Sequence, residues 1–203
     1  FAESFEKLGG KVVDQQQFQT NQTDFKAVLT NIKAANPDFI YAPSSLTTAP
    51  LIITQARELG IDAVIGAGDT WENSTIIENA KGNAEGIVFS TFFDESAPAN
   101  DEAKKFIEGY KKYLVENKQP DIIPNFSALS YDAYVCAIKA IEAAQSTDGE
   151  KIKEALKGVT FDGITGHISF DENGDANKTL AFIKTVKDGK FELLTTTTVD
   201  TGK

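Results

Sequence analysis

Residues 38–93 read DFIYAPSSLTTAPLIITQARELGIDAVIGAGDTWENSTIIENAKGNAEGIVFSTFF, and the order of the elements in this stretch decides the fold. DFIYAP is a short apolar strand. APLIITQARELG is a helix with Pro50 in its first turn and Gly60 at its end, because proline suits a helix start and glycine a helix stop. DAVIGAG is the next strand and ENSTIIENAKG a short helix. EGIVFSTFF, rich in β-branched and aromatic residues, is a buried strand.

Working outward, TDFKAVLTNIKAANPD places Phe25, Val28, Leu29 and Ile32 at helical spacing behind a Thr23 or Asp24 cap, with Pro37 closing the helix. KVVDQQQF before it is expected as a strand, and FAESFEKLGG, with Phe1, Phe5 and Leu8 on one face, as a helix belonging to something longer. Residues 1 to 91 therefore read α-β-α-β-α-β-α-β. Each parallel crossover needs a helix to return the chain, so the alternation predicts a doubly wound α/β lobe with a parallel sheet and flanking helices.

The pattern then changes. ANDEAKKFIEGYKKYLVEN carries Ala103, Phe106, Ile107, Tyr110 and Leu114 on one face, and LSYDAYVCAIKAIEAA carries Ala133, Tyr134, Ala137, Ile138 and Ile141. DGEKIKEALKG is a third helix. Such helices must cover a sheet, and its strands are expected from a segment ahead of Phe1 or from a second copy of the chain. The end, HISFDENGDANKTLAFIKTVKDGKFELLTT, reads as strands joined by turns at Asn173-Gly174 and Asp188-Gly189, the second a two-residue hairpin signal.

Composition narrows the function. The chain has 203 residues with 41% apolar and a formal charge of −10, enough for a core and the wrong sign for nucleic acid or anionic membranes. No apolar run reaches the roughly 18 residues that cross a bilayer. The single cysteine, Cys136, forms no internal disulfide and reads as a packed thiol. The lone His167 sits in a strand-like GHISF and is structural. DENGD has calcium-like residues with its glycine misplaced for an EF-hand and reads as a solvated turn. Gly66-x-Gly68 is followed by Trp71 where a dinucleotide loop needs its third glycine. Catalytic residues, metals and cofactors are therefore not expected.

In a doubly wound sheet, ligands sit beyond the carboxyl ends of the strands. Two loops qualify: Ala42–Thr48, with hydroxyls at Ser44, Ser45, Thr47 and Thr48, and Gly66–Trp71. Asn73 and Ser74 are better placed than Asp69 to cap the helix at Ile76, which leaves the Asp69 carboxylate spare for a ligand. It suits an ammonium group: at ~4 Å the attraction rises from about 1 kcal/mol in water to about 4 at an effective dielectric of ~20. Trp71 offers an apolar wall, a cation-facing ring or packing beneath the loop. Among the hydroxyls, which also suit helix capping, Ser45 is chosen with Ser44 beside it.

GGKVV, TDFKAVLTNIKAANPDFIY, QARELGIDAVIGAGDTW, EGIVFSTFF, YDAYVCAIKAIEAA and FDGITGHISFDENGDANK, in this order, resemble the substrate-binding proteins of branched-chain amino acid ABC importers. The resemblance implies the type I periplasmic-binding-protein fold, without the N-terminal part of its first lobe. Residues 1–91 would form the second lobe, 92–180 the C-terminal part of the first lobe, and 181–203 a return to the second. It implies a periplasmic or extracellular receptor, with a lipid anchor as one means of attachment. Two hinged lobes would close on an amino acid and deliver it to ABC permease membrane subunits, without chemistry. Asp69 falls where the family binds the ligand's α-ammonium. Ser45 falls where leucine-, isoleucine- and valine-specific relatives have an aromatic residue, so the ligand extends to another amino acid or a small amide. A sensory or regulatory module on the same fold is the alternative. The apolar helix faces left without a sheet predict that the chain by itself dimerises, swaps elements or relies on a further partner.

Overall fold

The computed structural model describes residues 1–198; the last five residues of the expected 181–203 return lie outside the described residues. The chain divides into two compact units. The first comprises Phe1–Phe89 and Thr185–Glu192, and the second Ser90–Lys184 with Leu193–Thr198. The described part of that return, residues 181–198, is thus shared between them.

The first unit begins with α1 (Ala2–Lys7) and α2 (Lys26–Ala35), then alternates β1 (Phe39–Tyr41), α3 (Ala49–Glu58), β2 (Val64–Ala67) and α4 (Ser74–Ala80), and ends in β3 (Val88–Thr91). β1 pairs with β2 and β2 with β3, all parallel, in the register Tyr41↔Gly66 and Gly66↔Val88. β3 is followed in the sheet by β6 (Leu180–Lys187) and β7 (Lys190–Thr198). A mixed α/β sheet, largely parallel and flanked by helices, is the architecture the alternation predicts. Asp188 and Gly189, at φ 51° and 70°, make the expected two-residue turn between β6 and β7, and the Glu85 carboxylate accepts both their N–H groups.

Buried apolar side chains of the helices join those of the sheet in one cluster: Leu29 of α2, Ile53 and Ala56 of α3, and Ile76 of α4 pack with Ile40, Ile65 and Phe89. α2 ends as expected, with Asn36 in the left-handed region just before Pro37. Its start differs. Phe25 occupies the cap position without a side-chain bond, while Asp24 Oδ1 accepts the Lys26 N–H at 3.0 Å.

One expected strand is absent. Lys11–Phe18 pairs with no described strand, and β1 is the last strand on its side of the sheet. β-propensity is realised only against a neighbouring strand, and here Val13 and Phe18 are exposed while Asp14 bonds its own neighbours Gln15 and Gln16. The observed order is therefore α-α-β-α-β-α-β.

The second unit holds α5 (Asp101–Glu116), α6 (Asn125–Ala144), α7 (Gly149–Leu156) and the antiparallel pair β4 (Phe161–Gly163) and β5 (Gly166–Ile168). α5 packs as its spacing predicts, with Ala103 and Leu114 buried and Phe106, Ile107 and Tyr110 against them. α6 does not. Its buried positions are Asn125, Ala128, Asp132, Cys136 and Ala140, whereas Tyr134, Ile138 and Ile141 are 67%, 38% and 36% exposed. α7 and the β4–β5 hairpin cover the opposite side of the helix, and among the described residues the expected face with Tyr134, Ile138 and Ile141 joins no buried cluster.

Asp132 clamps the hairpin onto α6. Its carboxylate accepts the N–H groups of Ile164 and Thr165 and the Thr165 hydroxyl, at 2.5 to 2.9 Å. A Cβ at Gly163 would lie 2.6 Å from that carboxylate, so only glycine fits there. Cys136, buried on the same side, is the packed thiol its neighbours predict; burial and then the Asp132 charge push its ionisation up.

Candidate functional site

β1 and β2 lie side by side and parallel, so the loops that leave their carboxyl ends are neighbours on one edge of the sheet. The backbone ties them together: Ala42 N–H donates to Gly66 O at 2.8 Å, and the Thr70 hydroxyl to Ser44 O at 3.4 Å. Ser44, Ser45, Asp69 and Trp71 therefore sit on two adjoining loops of one unit. The Thr70 link has no signature in the sequence.

Gly66 lets the two strands approach, since a Cβ there would meet the Phe39 ring at 2.5 Å and Val88 Cγ2 at 3.0 Å. Gly68 is extended, and Asp69–Trp71 form a single 3-10 turn after it. Asn73, not Asp69, caps α4: its side chain accepts the Thr75 N–H at 3.0 Å. Asp69 is half-buried, and among the described residues its carboxylate has neither a hydrogen bond nor an ion pair.

Trp71 is fully buried in the core beneath the loop, with its indole N–H enclosed and unpartnered. Of the roles the sequence left open, the structure places its ring in packing, where it holds the Asp69 turn from below. Ser44 Oγ is likewise enclosed without a partner.

Ser45 is exposed. Its hydroxyl lies 3.0 Å from that of Thr47 and 2.9 Å from that of Thr48, the latter buried. None of these hydroxyls caps α3. Thr48 holds the cap position without a side-chain bond, and the Thr48 and Ala49 N–H groups donate to Ser45 O instead. Thr47 also lines an open cleft of about 460 Å³ with Asp24, Lys26, Leu51, Gln55 and Glu58, to which Ser44, Ser45, Asp69 and Trp71 contribute nothing.

His167 lies on β5 as expected, its ring nitrogens 2.7 Å from Asp162 Oδ1 and 3.1 Å from Thr160 Oγ1 on an exposed hairpin. The Asp171 side chain accepts the N–H groups of Asn173 and Asp175, which closes the DENGD turn on itself. Among the described residues no group of three or more His, Cys, Asp and Glu side chains is placed to hold a metal ion, and no helix is long and apolar enough to cross a membrane.

Comparison with known proteins agrees with this architecture. The periplasmic binding protein family matches residues 1–190. The leucine-, isoleucine-, valine-, threonine- and alanine-binding protein of Pseudomonas aeruginosa is 31% identical over 84% of this chain and 44% of its own length. Among solved structures, the leucine binding protein LivK of Thermotoga maritima superposes with a TM-score of 0.84 at 37% identity, over 97% of this chain and 54% of that one. The branched-chain amino acid transporter substrate binding protein LivJ of Streptococcus pneumoniae, in complex with isoleucine, gives 0.76 at 30% identity, over 98% and 55%. The chain thus spans about half the length of these relatives, and it belongs to the periplasmic binding protein family.

Proposed function

We propose that the protein containing this chain is a solute-binding receptor of an ABC importer that takes an amino acid between two hinged lobes, outside the cytoplasmic membrane, and hands it to the permease. It binds without chemical change. In this reading the first unit is the ligand-facing part of the second lobe and the second unit part of the first. The family supports the receptor role, and relatives that bind leucine, isoleucine, valine, threonine and alanine support an amino-acid cargo.

The observation that carries the reading is the free Asp69 carboxylate. It stands at the carboxyl end of a parallel strand, relieved of capping by Asn73 and held up by a buried tryptophan. A carboxylate so placed accepts the ligand's α-ammonium, with Ser45 presented from the adjoining loop. Closure is favoured only by the difference in a ligand's affinity for the closed and open states.

The test is the melting temperature of the full-length protein against a panel of free amino acids, with Asp69→Ala alongside. A ligand bound only by the folded state at ~100 times its Kd adds about 2.7 kcal/mol. A rise with one or a few amino acids, abolished in Asp69→Ala, is expected. No rise with any amino acid would remove both the cargo class and the role of Asp69.

A further inference from the structure

The loop hydroxyls narrow the cargo, if the amino-acid reading above holds. Ser45, Thr47 and Thr48 form a chain of three hydroxyls joined by two contacts, with Ser45 in the middle. Three hydroxyls carry three protons, and two contacts consume two. Thr48 is buried and has no other side-chain partner, so its proton goes to Ser45, since a buried donor left unmade is costly. One O–H, on exposed Ser45 or Thr47, is then left to donate outward.

The rest of the two loops says what should accept it. Their large apolar side chains, Leu46 and Trp71, pack into the core, and the exposed side chains on the two loops are those of Pro43, Ser45, Thr47 and Thr70. An aliphatic side chain laid on this surface would cover hydroxyls without satisfying them. Neither loop carries a basic residue, and Lys26, which shares the open cleft with Thr47, stands there with Asp24 and Glu58, so a second ligand carboxylate meets no net positive charge. The α3 N-terminus offers no substitute: its first N–H groups are spent on Ser45 O and Thr48 O, and Pro50 has none.

We infer that the cargo is an amino acid whose side chain ends in a neutral hydrogen-bond acceptor, an amide or a hydroxyl, read by the Ser45–Thr47 hydroxyl pair while Asp69 holds the ammonium. The pair replaces an apolar wall with a donor. It selects threonine over its isostere valine, and asparagine over leucine.

Calorimetric titration of the full-length protein with threonine, valine, asparagine, leucine, alanine and aspartate tests this, repeated in Ser45→Ala, Thr47→Val and Asp69→Ala. Threonine or asparagine should bind at least ~10-fold tighter than its apolar counterpart, and aspartate weakly. Ser45→Ala or Thr47→Val should erase that preference and leave alanine and valine within about 3-fold. Valine or leucine binding as tightly as the polar isostere would overturn the inference and leave the amino-acid reading intact. So would a loss shared equally by alanine, which would put the hydroxyls on the part common to all amino acids. No binding by any of the six, in wild type as in Asp69→Ala, would remove the amino-acid reading itself.

Discussion

Among the described residues of the first unit 17 buried apolar side chains form one cluster with a parallel sheet, whereas those of the second fall into separate clusters of six and three, with Ile168 and Phe182 buried outside both. The second unit relies instead on buried polar fasteners: Asp132 under the hairpin, and the ion pair of Lys184 with Asp94 at 2.7 Å. The difference follows from what each helix has to cover. α3 lies over strands of its own unit, while the apolar side chains of α6 outnumber what α7 and one hairpin can meet. A sheet-centred core tolerates a free carboxylate at its edge, and that is where Asp69 stands.

The largest effect should come from the sheet-centred core. Trp71→Ala removes a fully buried ring and should cost about 3–5 kcal/mol. Ile53→Ala on α3, equally buried, should cost about 2–5. Chemical denaturation of the two variants, read by far-ultraviolet circular dichroism, checks both. A loss below 1 kcal/mol at either position would deny that the first unit owes its stability to this cluster.

Much of this contrast was legible in the residues. Helix and strand order from Phe39 to Phe89 followed from apolar spacing, Pro50, Gly60 and the Asn73 cap, all of them local signals. Lys11–Phe18 misled because a strand is a pairwise object, and its β-branched residues cannot show whether a partner exists. α6 misled for a related reason: with apolar residues on nearly every side, its periodicity could not say which face would be met first. The candidate site was legible as two loops with a spare acid. Which side chains turn inward was not: Trp71 and Leu46 go to the core and Ser45 outward, a choice made by packing across α3 and α4.

The polar fasteners of the second unit are testable through charge. Burial alone would raise the Asp94 carboxyl, but the bond and charge of the Lys184 ammonium, with two bonds from Ser96, hold it below the ordinary carboxylate range. A carboxyl lowered on folding contributes stability that is complete above about pH 4 and is lost as pH falls through the folded value. Lys184→Met strands a buried carboxylate and should cost about 3–5 kcal/mol near neutrality, with the loss shrinking in acid. Asp94→Asn combined with Lys184→Met should recover most of it. A double variant as unstable as the single one would show that the lysine stem, rather than the charge pair, does the holding.

Lys178 provides a smaller effect of the same sign at the alkaline end. Burial against Phe92 pushes its ammonium below the ordinary lysine range, with the Asp132 charge opposing, and it donates to Thr165 Oγ1 in the hairpin. Between the lowered value and about 10.4 the unfolded chain binds this proton more tightly, so raising pH through that window should add stability. Lys178→Met should flatten the alkaline slope. An unchanged slope would mean that the amine is ionised alike in both states.

The smallest effect on folding, and the most telling for the contrast, is expected on the bare face of α6. At ~100° per residue, Phe126, Ala133, Tyr134, Ala137, Ile138 and Ile141 occupy one arc of the helix, opposite the buried arc through Asp132, Cys136 and Ala140. Exposed and half-exposed side chains lose little when truncated, so Tyr134→Ser, Ile138→Ser and Ile141→Ser together should change the stability of the monomer by less than about 1.5 kcal/mol. Association is another matter, because a contiguous apolar face this size is seldom left in water. The 203-residue chain by itself should sediment as a dimer or larger at micromolar concentration, and the triple variant as a monomer. If the unaltered chain is already monodisperse and monomeric, exposure of this face does not drive self-association. If the triple variant instead unfolds the second unit, those side chains belong to a core after all, and the contrast between the two units disappears.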